Sequence, residues 1–149
     1  MGRTGWLAGR LLLAACAATV IALLSGLFTW AGAIAGGTSV PVGQMLEAGA
    51  NCLPAALLFL GIAALAYAAV PRASSAISYG VIVLTFLWQV VGALLGAPDW
   101  LAGLTPFGHI GLVPVEPFRA TAAVVMIGIG LATAAAALAV FRRRDLIAA

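Results

Sequence analysis

Side chains that could catalyse a reaction or bind a metal are few in this chain of 149 residues. The only histidine is His109, and the two cysteines, Cys16 and Cys52, lie within or at the edge of apolar runs. A metal centre needs more ligands than these three residues offer, whereas free cysteines behave as small buried apolar side chains. We therefore expect neither a bound metal nor an organic cofactor.

Motifs for enzymatic chemistry are missing as well. The sequence has no Gly-x-Ser-x-Gly elbow, no His-Glu-x-x-His pair and no second histidine for a triad. All seven cations are arginines, so a phosphate-binding loop with its lysine is absent and the chain is not expected to hydrolyse ATP by itself. The sequence gives no support for an enzyme, and His109 is predicted to be a polar residue at the rim of a loop.

Composition indicates that the chain lies in a lipid bilayer. Apolar residues make up 64% of the sequence and charged residues only 7%, which is far from the usage of soluble domains. The formal net charge of +3 comes from arginines at the ends of apolar runs, whereas a nucleic-acid-binding domain gathers its cations on one surface. We therefore predict a membrane protein that has no nucleic-acid partner.

Four long apolar runs predict four transmembrane helices, at about residues 7–35, 51–70, 76–95 and 120–141. A helix needs about 20 mostly apolar residues to cross a hydrocarbon core of about 30 Å. Runs of this length satisfy their own backbone groups only as helices, and the alternation typical of an outer-membrane barrel is absent. The predicted fold class is all-α, with residues 1–149 forming one polytopic transmembrane domain.

The arginines predict the orientation of these spans. With four crossings, one side of the membrane holds six topology anchors: Arg3, Arg10, Arg72, Arg142, Arg143 and Arg144. The other side holds Glu47, Asp99 and Glu116 with a single cation, Arg119. Because arginine is retained on the cytoplasmic side, we predict a multi-pass protein of the cell membrane with both termini in the cytoplasm.

The connection between the third and fourth spans, at about residues 96–119, is too apolar for a free loop. Four of the seven prolines fall here, between Pro98 and Pro117. Asp99 can cap a short helix with Trp100 at headgroup depth, and Pro106 is expected to end it because the residue before proline avoids the α region. We predict a re-entrant or interfacial helical segment, which fits either a passive cap on the bundle or a gate.

Other irregular positions are predicted with alternatives. Gln89, near the middle of the third span, needs a polar partner and is predicted to contact another helix or line a pathway.

Residues 38–47 are expected to form a simple turn. Pro54 lies in the first turn of the second span if Asn51 caps that helix, or kinks the helix if it begins earlier. The four-residue glycine spacings at Gly32 and Gly92 fit close helix contacts.

Three separated stretches resemble a known family. They are Pro71 to Tyr79, the stretch from Gly92 to Pro114 containing Pro98-Asp99-Trp100 and Leu104-Thr105-Pro106-Phe107-Gly108-His109, and Phe141-Arg142-Arg143-Arg144-Asp145-Leu146. Together they resemble the C-terminal part of actinobacterial ATP-binding-cassette exporter permeases of the type-2 class, which are often described as polyketide-antibiotic exporters. Such permeases are usually several times longer, so the chain fits either a split subunit or a fragment of a longer permease.

The resemblance implies a fold and partners. In that family a permease half has six spans, short re-entrant outer helices precede the last span, and the last span ends in a basic cytoplasmic tail. The implied function is export of hydrophobic compounds by alternating access, using a separate ATPase subunit and further permease helices or a second permease copy. The implied outer gate comprises Asp99, Trp100, Pro106, Phe107 and His109, and Gln89 becomes a candidate pathway residue.

A different class of function stays open on the sequence. Four helices can also form a membrane scaffold or assembly protein that does not transport and whose outer segment docks another protein. A self-sufficient proton-driven exporter is disfavoured, because no acidic or basic residue lies deep in any predicted span.

Overall fold

Helices form the framework of the chain in a computed structural model that describes residues 3–96, 98, 100 and 103–144. The elements, in chain order, are α1 (Arg3–Ala35), α2 (Val42–Ala50), α3 (Leu53–Ala69), α4 (Ser74–Leu94), a 3-10 helix (Pro106–His109) and α5 (Ala120–Arg144). No strand occurs within the described ranges. The predicted all-α fold class is confirmed.

Within the described residues, four stretches are long and apolar enough to cross a membrane: Thr4–Ala35, Val42–Ala69, Ser74–Gly92 and Ala120–Arg143. They match the four predicted spans with changes at the ends. The last helix continues through Arg144 instead of stopping near residue 141, so the arginine cluster forms its final turn. The first helix likewise starts at Arg3 rather than at residue 7, which places Arg10 inside α1.

The segment before the second span is not the simple turn that the sequence predicts. Pro41 precedes a helix, α2, which packs against α1 through two glycines. A Cβ on Gly26 would collide with the carbonyl of Met45, and a Cβ on Gly49 would collide with the carbonyl of Ala22. This close approach stabilises α2 through its contact with α1, which a pattern of local residue types does not reveal.

The second span therefore consists of two helices joined by a turn. Asn51 and Cys52 form this turn, and Pro54 occupies one of the first two positions of α3. Proline is tolerated there because the first amide groups of a helix have no partner within the helix. Of the two alternatives, Pro54 in a first turn is confirmed, but the N-cap position is Cys52, not Asn51.

The most extensive helix pairing joins α3 to α5. Gly61 and Gly130 lie at its centre: a Cβ on Gly61 would meet the carbonyl of Gly130, and a Cβ on Gly130 would lie 2.7 Å from the carbonyl of Leu57. Small residues at such crossings let two backbones approach closely, which favours helix association in lipid. The contact predicted at Gly32 is wrong, since nothing lies within 4 Å of a Cβ built there.

Two apolar clusters mark the two ends of the bundle. One contains Ala64, Ala68 and Ala137, against which Leu11 and Phe141 pack. The beginning of α1 and the ends of α3 and α5 therefore meet at one end, which we call the arginine end because Arg10, Arg72 and Arg142 are sequence neighbours of these residues. The other cluster, Ala55, Leu58 and Met126 with Ile110, lies at the opposite end, which we call the outer end.

Helix α4 is the least covered of the four spans. Only 6% of the most apolar 18-residue stretch of α4 is buried, whereas 39% of the corresponding stretch of the Val42–Ala69 span is buried. It packs mainly on α3 and, at its C-terminal part, on the 3-10 helix. Its large side chains, including Tyr79, Leu84 and Leu94, are therefore open to lipid or to further helices.

Candidate functional site: the segment at the outer end

The connection between α4 and α5, residues 96–119, is here called the outer segment. Its centre is the 3-10 helix, which begins at Pro106 and is capped by Thr105. The side-chain oxygen of Thr105 accepts a hydrogen bond from the amide of Gly108 at 3.3 Å. Pro106 thus starts a helical turn of its own, consistent with the preference of proline for the first position of a helix.

Gln89 of α4 is tied to the outer segment. The hydroxyl of Thr105 donates to Oε1 of Gln89 at 2.5 Å, and Thr105 is only 3% exposed. Gln89 lies five residues before the end of α4, nearer to the outer end than the sequence predicts. The predicted need for a polar partner is met, but the partner belongs to the outer segment and not to another spanning helix.

The ring of Phe107 connects two spans. It lies 5.6 Å from the ring of Phe59 on α3 and, edge on, 5.9 Å from the ring of Phe86 on α4. Aromatic pairs at these distances contribute about 0.5–1.5 kcal/mol each beyond the area they bury. Phe107 therefore holds α3, α4 and the 3-10 helix together at the outer end.

A buried asparagine ties the outer segment to the second span. Asn51, in the turn between α2 and α3, is 6% exposed and donates through Nδ2 to the carbonyl of Gly111 at 2.6 Å. Gly111 is buried, and a Cβ there would approach the carbonyl of Pro117 at 3.0 Å. A larger residue at position 111 would therefore require the backbone near Pro117 to shift.

Charged groups lie at the exposed rim of this segment. Arg119 pairs with the Glu116 carboxylate at 3.1 Å and also donates to the carbonyl of Gly108 at 3.4 Å. The Glu116 carboxylate in turn accepts from the amide of Leu112 at 3.3 Å. Both side chains are more than a third exposed, so we assign the ion pair a small stabilising effect.

His109 occupies the rim position that the sequence predicts. It is exposed, and its Nδ1 lies 3.1 Å from the carbonyl of Thr105. Since a carbonyl can only accept, Nδ1 is the donor and Nε2 is left free to face outward. The hydrogen bond of this ring goes to a backbone carbonyl and not to a side chain that could act as a nucleophile. The geometry therefore gives no support for His109 as a general base.

A cavity of about 880 Å³ lies between the outer segment and α5. Its wall is mostly apolar, with Phe118, Val125, Met126 and Ile129 among the lining side chains. Thr105, His109 and Arg119 are polar groups at its upper edge. This combination suits noncovalent binding of an amphiphilic molecule and contains no constellation of groups for bond-breaking chemistry.

The structure brings together four of the six residues singled out for the gate and the pathway: Gln89, Pro106, Phe107 and His109. Trp100 is 70% exposed, and Asp99 lies outside the described residues together with its predicted helix-capping role. Sequence reasoning missed Thr105 and Asn51 as partners of the site. An uncharged polar side chain inside an apolar run was the available signal, because such a group needs a hydrogen bond in lipid.

The topology anchors lie where apolar helices end. Arg10 stacks over the ring of Trp6 at 4.3 Å, a cation–π contact in the first turns of α1. Arg72 is exposed in the turn between α3 and α4, and Arg142 and Arg143 are exposed in the last turn of α5. The backbones of Arg3 and Arg144 form the first residue of α1 and the last residue of α5.

Comparison with known proteins identifies relatives of the chain. A family model described as the C-terminal domain of the multidrug efflux system permease Rv1217c matches residues 1–142. The multidrug efflux system permease protein Rv1217c of Mycobacterium tuberculosis is 32% identical over 149 aligned residues, which cover 97% of this chain but 27% of that relative. The chain thus spans about a quarter of the relative's length, and no solved structure matches it significantly.

The family match covers all four spans and the outer segment, and it agrees with the resemblance derived from residues 71–79, 92–114 and 141–146. The chain therefore belongs to the family of the C-terminal domain of the Rv1217c multidrug efflux permease.

Proposed function

We propose that this chain is the C-terminal membrane part of an exporter permease that moves hydrophobic compounds outward, among them antibiotics, other drugs and lipid-like molecules. A separate ATP-binding-cassette subunit hydrolyses the ATP, because this chain has no lysine for a phosphate-binding loop. Further permease helices or a second permease copy complete the pathway. The observation that carries the proposal is the family match over residues 1–142.

The sparse burial of α4 supports the need for further helices. A transmembrane helix whose large side chains are open on most sides gains little from packing within this chain, and helix association in lipid depends on such packing. The matched relative is several times longer than this chain. We therefore place the remaining helices of the complete permease beside α4.

The outer segment is the proposed gate. It contacts α4 through the Phe107–Phe86 ring pair and the Thr105–Gln89 hydrogen bond, and the second span through the Phe107–Phe59 ring pair and the Asn51–Gly111 hydrogen bond. In alternating access, α4 moves relative to α3, and Phe107 lies between them. Breaking the Phe107 contacts then opens the outer end, while the Asn51 bond keeps the segment attached to the second span.

The proposed location is the cell membrane, with the arginine end of the bundle in the cytoplasm. Arg10, Arg72, Arg142 and Arg143 belong to that end, and the positive-inside rule favours its retention. The outer segment, with Glu116 and Arg119, then faces the outside.

The gate is tested with Phe107→Ala in cells that express the chain with its partner subunits. We expect several-fold higher accumulation of an exported drug than with the unchanged chain, because the ring that joins α3 to α4 is gone. Phe28→Ala serves as the control, since this phenylalanine is 70% exposed on α1 and forms neither ring contact. Membrane levels of both variants must equal those of the unchanged chain.

The scaffold alternative makes the opposite prediction. If Trp100→Ala and Phe107→Ala leave drug accumulation unchanged but abolish a complex with another membrane protein, the transport proposal is wrong and the chain is an assembly protein. Co-purification of an ATPase subunit with the chain would support the permease role, and a stable monomer without partners would count against it.

A further inference from the structure

A second cavity, lined by no described residue of the outer segment, runs along the bundle from the arginine end toward the outer end. Its floor is α3, and α1 and α4 flank it on either side. Its volume is about 570 Å³, within the range of about 300–1,000 Å³ typical of small-molecule sites. We call it the inner groove; it extends from Ser75 at the start of α4 to Phe59 on α3.

The described walls of the inner groove are uncharged and combine apolar side chains with hydroxyl groups. Alanines on α1 and α3, including Ala14, Ala18 and Ala63, leave the space open. None of the described lining residues is charged, and the nearest arginine in sequence is Arg72, in the turn before α4. A permanently cationic molecule would therefore find no carboxylate in the groove and a cation close to its entrance.

Three hydroxyl groups in the groove are free to bind a ligand. Those of Tyr67, Ser75 and Tyr79 make no hydrogen bond to any described residue. The other two serines of the groove differ, because Ser74 donates to the carbonyl of Pro71 and Ser78 donates to the carbonyl of Ser74. The free hydroxyls lie at the entrance, so the groove is polar at its arginine end and apolar at its deep end.

The deep end of the groove is connected to the outer segment. Phe59 lines the groove and its ring lies 5.6 Å from the ring of Phe107. Phe107 also contacts Phe86 of α4. A molecule that pushes Phe59 aside therefore acts on the contact that joins α3 to α4 at the outer end.

We propose that the inner groove binds uncharged amphiphiles that have an aromatic body and at least one hydrogen-bonding group, entering from the arginine end. This proposal rests on the proposed exporter function and names the substrate class that enters it. The aromatic body lies between the alanine walls against Phe59, and its polar group bonds to the hydroxyls of Tyr67, Ser75 or Tyr79. Binding is transmitted to the outer segment through Phe59 and Phe107.

The test is photolabelling of the purified full chain in lipid nanodiscs. Three probes are compared: 4-hydroxybenzophenone, unsubstituted benzophenone, and a benzophenone that carries a trimethylammonium group. We expect saturable labelling of groove peptides, around residues 56–67 and 74–82, by the two uncharged probes, and little labelling there by the cationic one. Equal groove labelling by the cationic probe, or labelling spread evenly over all lipid-facing helices, overturns the proposal.

Substitutions locate the binding site. Ala63→Trp fills the groove and is expected to remove most of the labelling, whereas Ala136→Trp, the same change at an exposed position of α5, is expected to leave it unchanged. Tyr79→Phe removes one hydroxyl and should weaken binding of 4-hydroxybenzophenone about fivefold, the loss of about one net hydrogen bond. Unaltered labelling of Ala63→Trp, with a circular dichroism spectrum like that of the unchanged chain, contradicts the proposal.

Because photolabelling needs neither ATP nor a partner subunit, the two proposals fail separately. If the groove is labelled but deleting the chain leaves cellular drug accumulation unchanged, the groove stands as a binding site and the exporter function is wrong. If deletion raises accumulation but labelling is diffuse, the groove proposal alone is wrong.

Discussion

Thr105 organises the outer segment through both its side chain and its backbone. Its hydroxyl donates to Gln89 and accepts from the amide of Gly108, while its carbonyl accepts from Nδ1 of His109. In lipid a hydroxyl and an amide have few other partners, so each satisfies the other. Thr105 thus satisfies the side-chain carbonyl of Gln89 in α4.

The contribution of this hydrogen bond can be measured with Thr105→Val, which keeps the side-chain shape but removes the hydroxyl. We expect the free energy of unfolding to fall by about 1 kcal/mol, because Gln89 is left without its partner. The measurement is SDS-induced unfolding in mixed micelles, followed by circular dichroism. Thr121→Val is the matched control, since Thr121 is an exposed residue at the start of α5.

A double-mutant cycle separates the bond to Gln89 from the cap on Gly108. Gln89→Leu combined with Thr105→Val should lower the free energy of unfolding by less than the sum of the two single changes. Each single change already breaks the hydrogen bond that the two side chains share. Strictly additive costs would show that the two side chains do not interact in the membrane.

Single residues also explain which parts of the site were predictable. Gln89 stands out in an apolar run, so its need for a partner follows from sequence, but the identity of that partner depends on how the outer segment folds back onto α4. Asn51 is a good helix cap by type, yet its side chain bonds to Gly111, sixty residues away. Such long-range pairings depend on tertiary packing that local residue types do not encode.

At the scale of elements, the spans followed from length and hydropathy, because a helix in lipid needs little more than an uninterrupted apolar run. Helix α2 could not be predicted in this way, because its sequence contains two glycines and follows a proline, a composition typical of loops. What stabilises it is contact with α1 at Gly26 and Gly49.

The α3–α5 pairing is tested with Gly130→Val. The new Cβ would lie 2.7 Å from the carbonyl of Leu57, so the two helices must separate, and we expect the unfolding free energy to fall by about 1–3 kcal/mol. Gly128→Val is a close control, because it makes the same change two residues away where nothing lies within 4 Å. If both variants lose the same stability, β-branching in the helix and not helix contact accounts for the loss.

At the scale of the whole molecule, the contacts between helix ends indicate which parts of the chain lie at the same end of the bundle. The beginning of α1 and the ends of α3 and α5 meet in one apolar cluster, which supports the proposal that the arginines beside them share one side of the membrane. The stacked rings of Tyr67 and Phe141, 6.4 Å apart, join α3 to α5 at this end.

The orientation is tested by cysteine accessibility in intact cells. In a background with both native cysteines replaced by alanine, Val115→Cys should react with a membrane-impermeant maleimide, because Val115 is 88% exposed in the outer segment. Arg143→Cys, exposed at the end of α5, should react only after the cells are permeabilised. Labelling of Arg143→Cys in intact cells would invert the proposed topology.

The length of α1 has a further consequence for how the protein fits its bilayer. Its 33 residues extend about 50 Å, whereas the hydrocarbon region is about 30 Å thick. If Arg10 stays at the headgroups, the rest of the helix still exceeds that thickness, a mismatch that membrane helices accommodate by tilting, kinking or locally thickening the bilayer. Since α1 forms one wall of the inner groove, a thinner or thicker membrane changes how far that wall leans, and lipid chain length becomes a determinant of the groove's width.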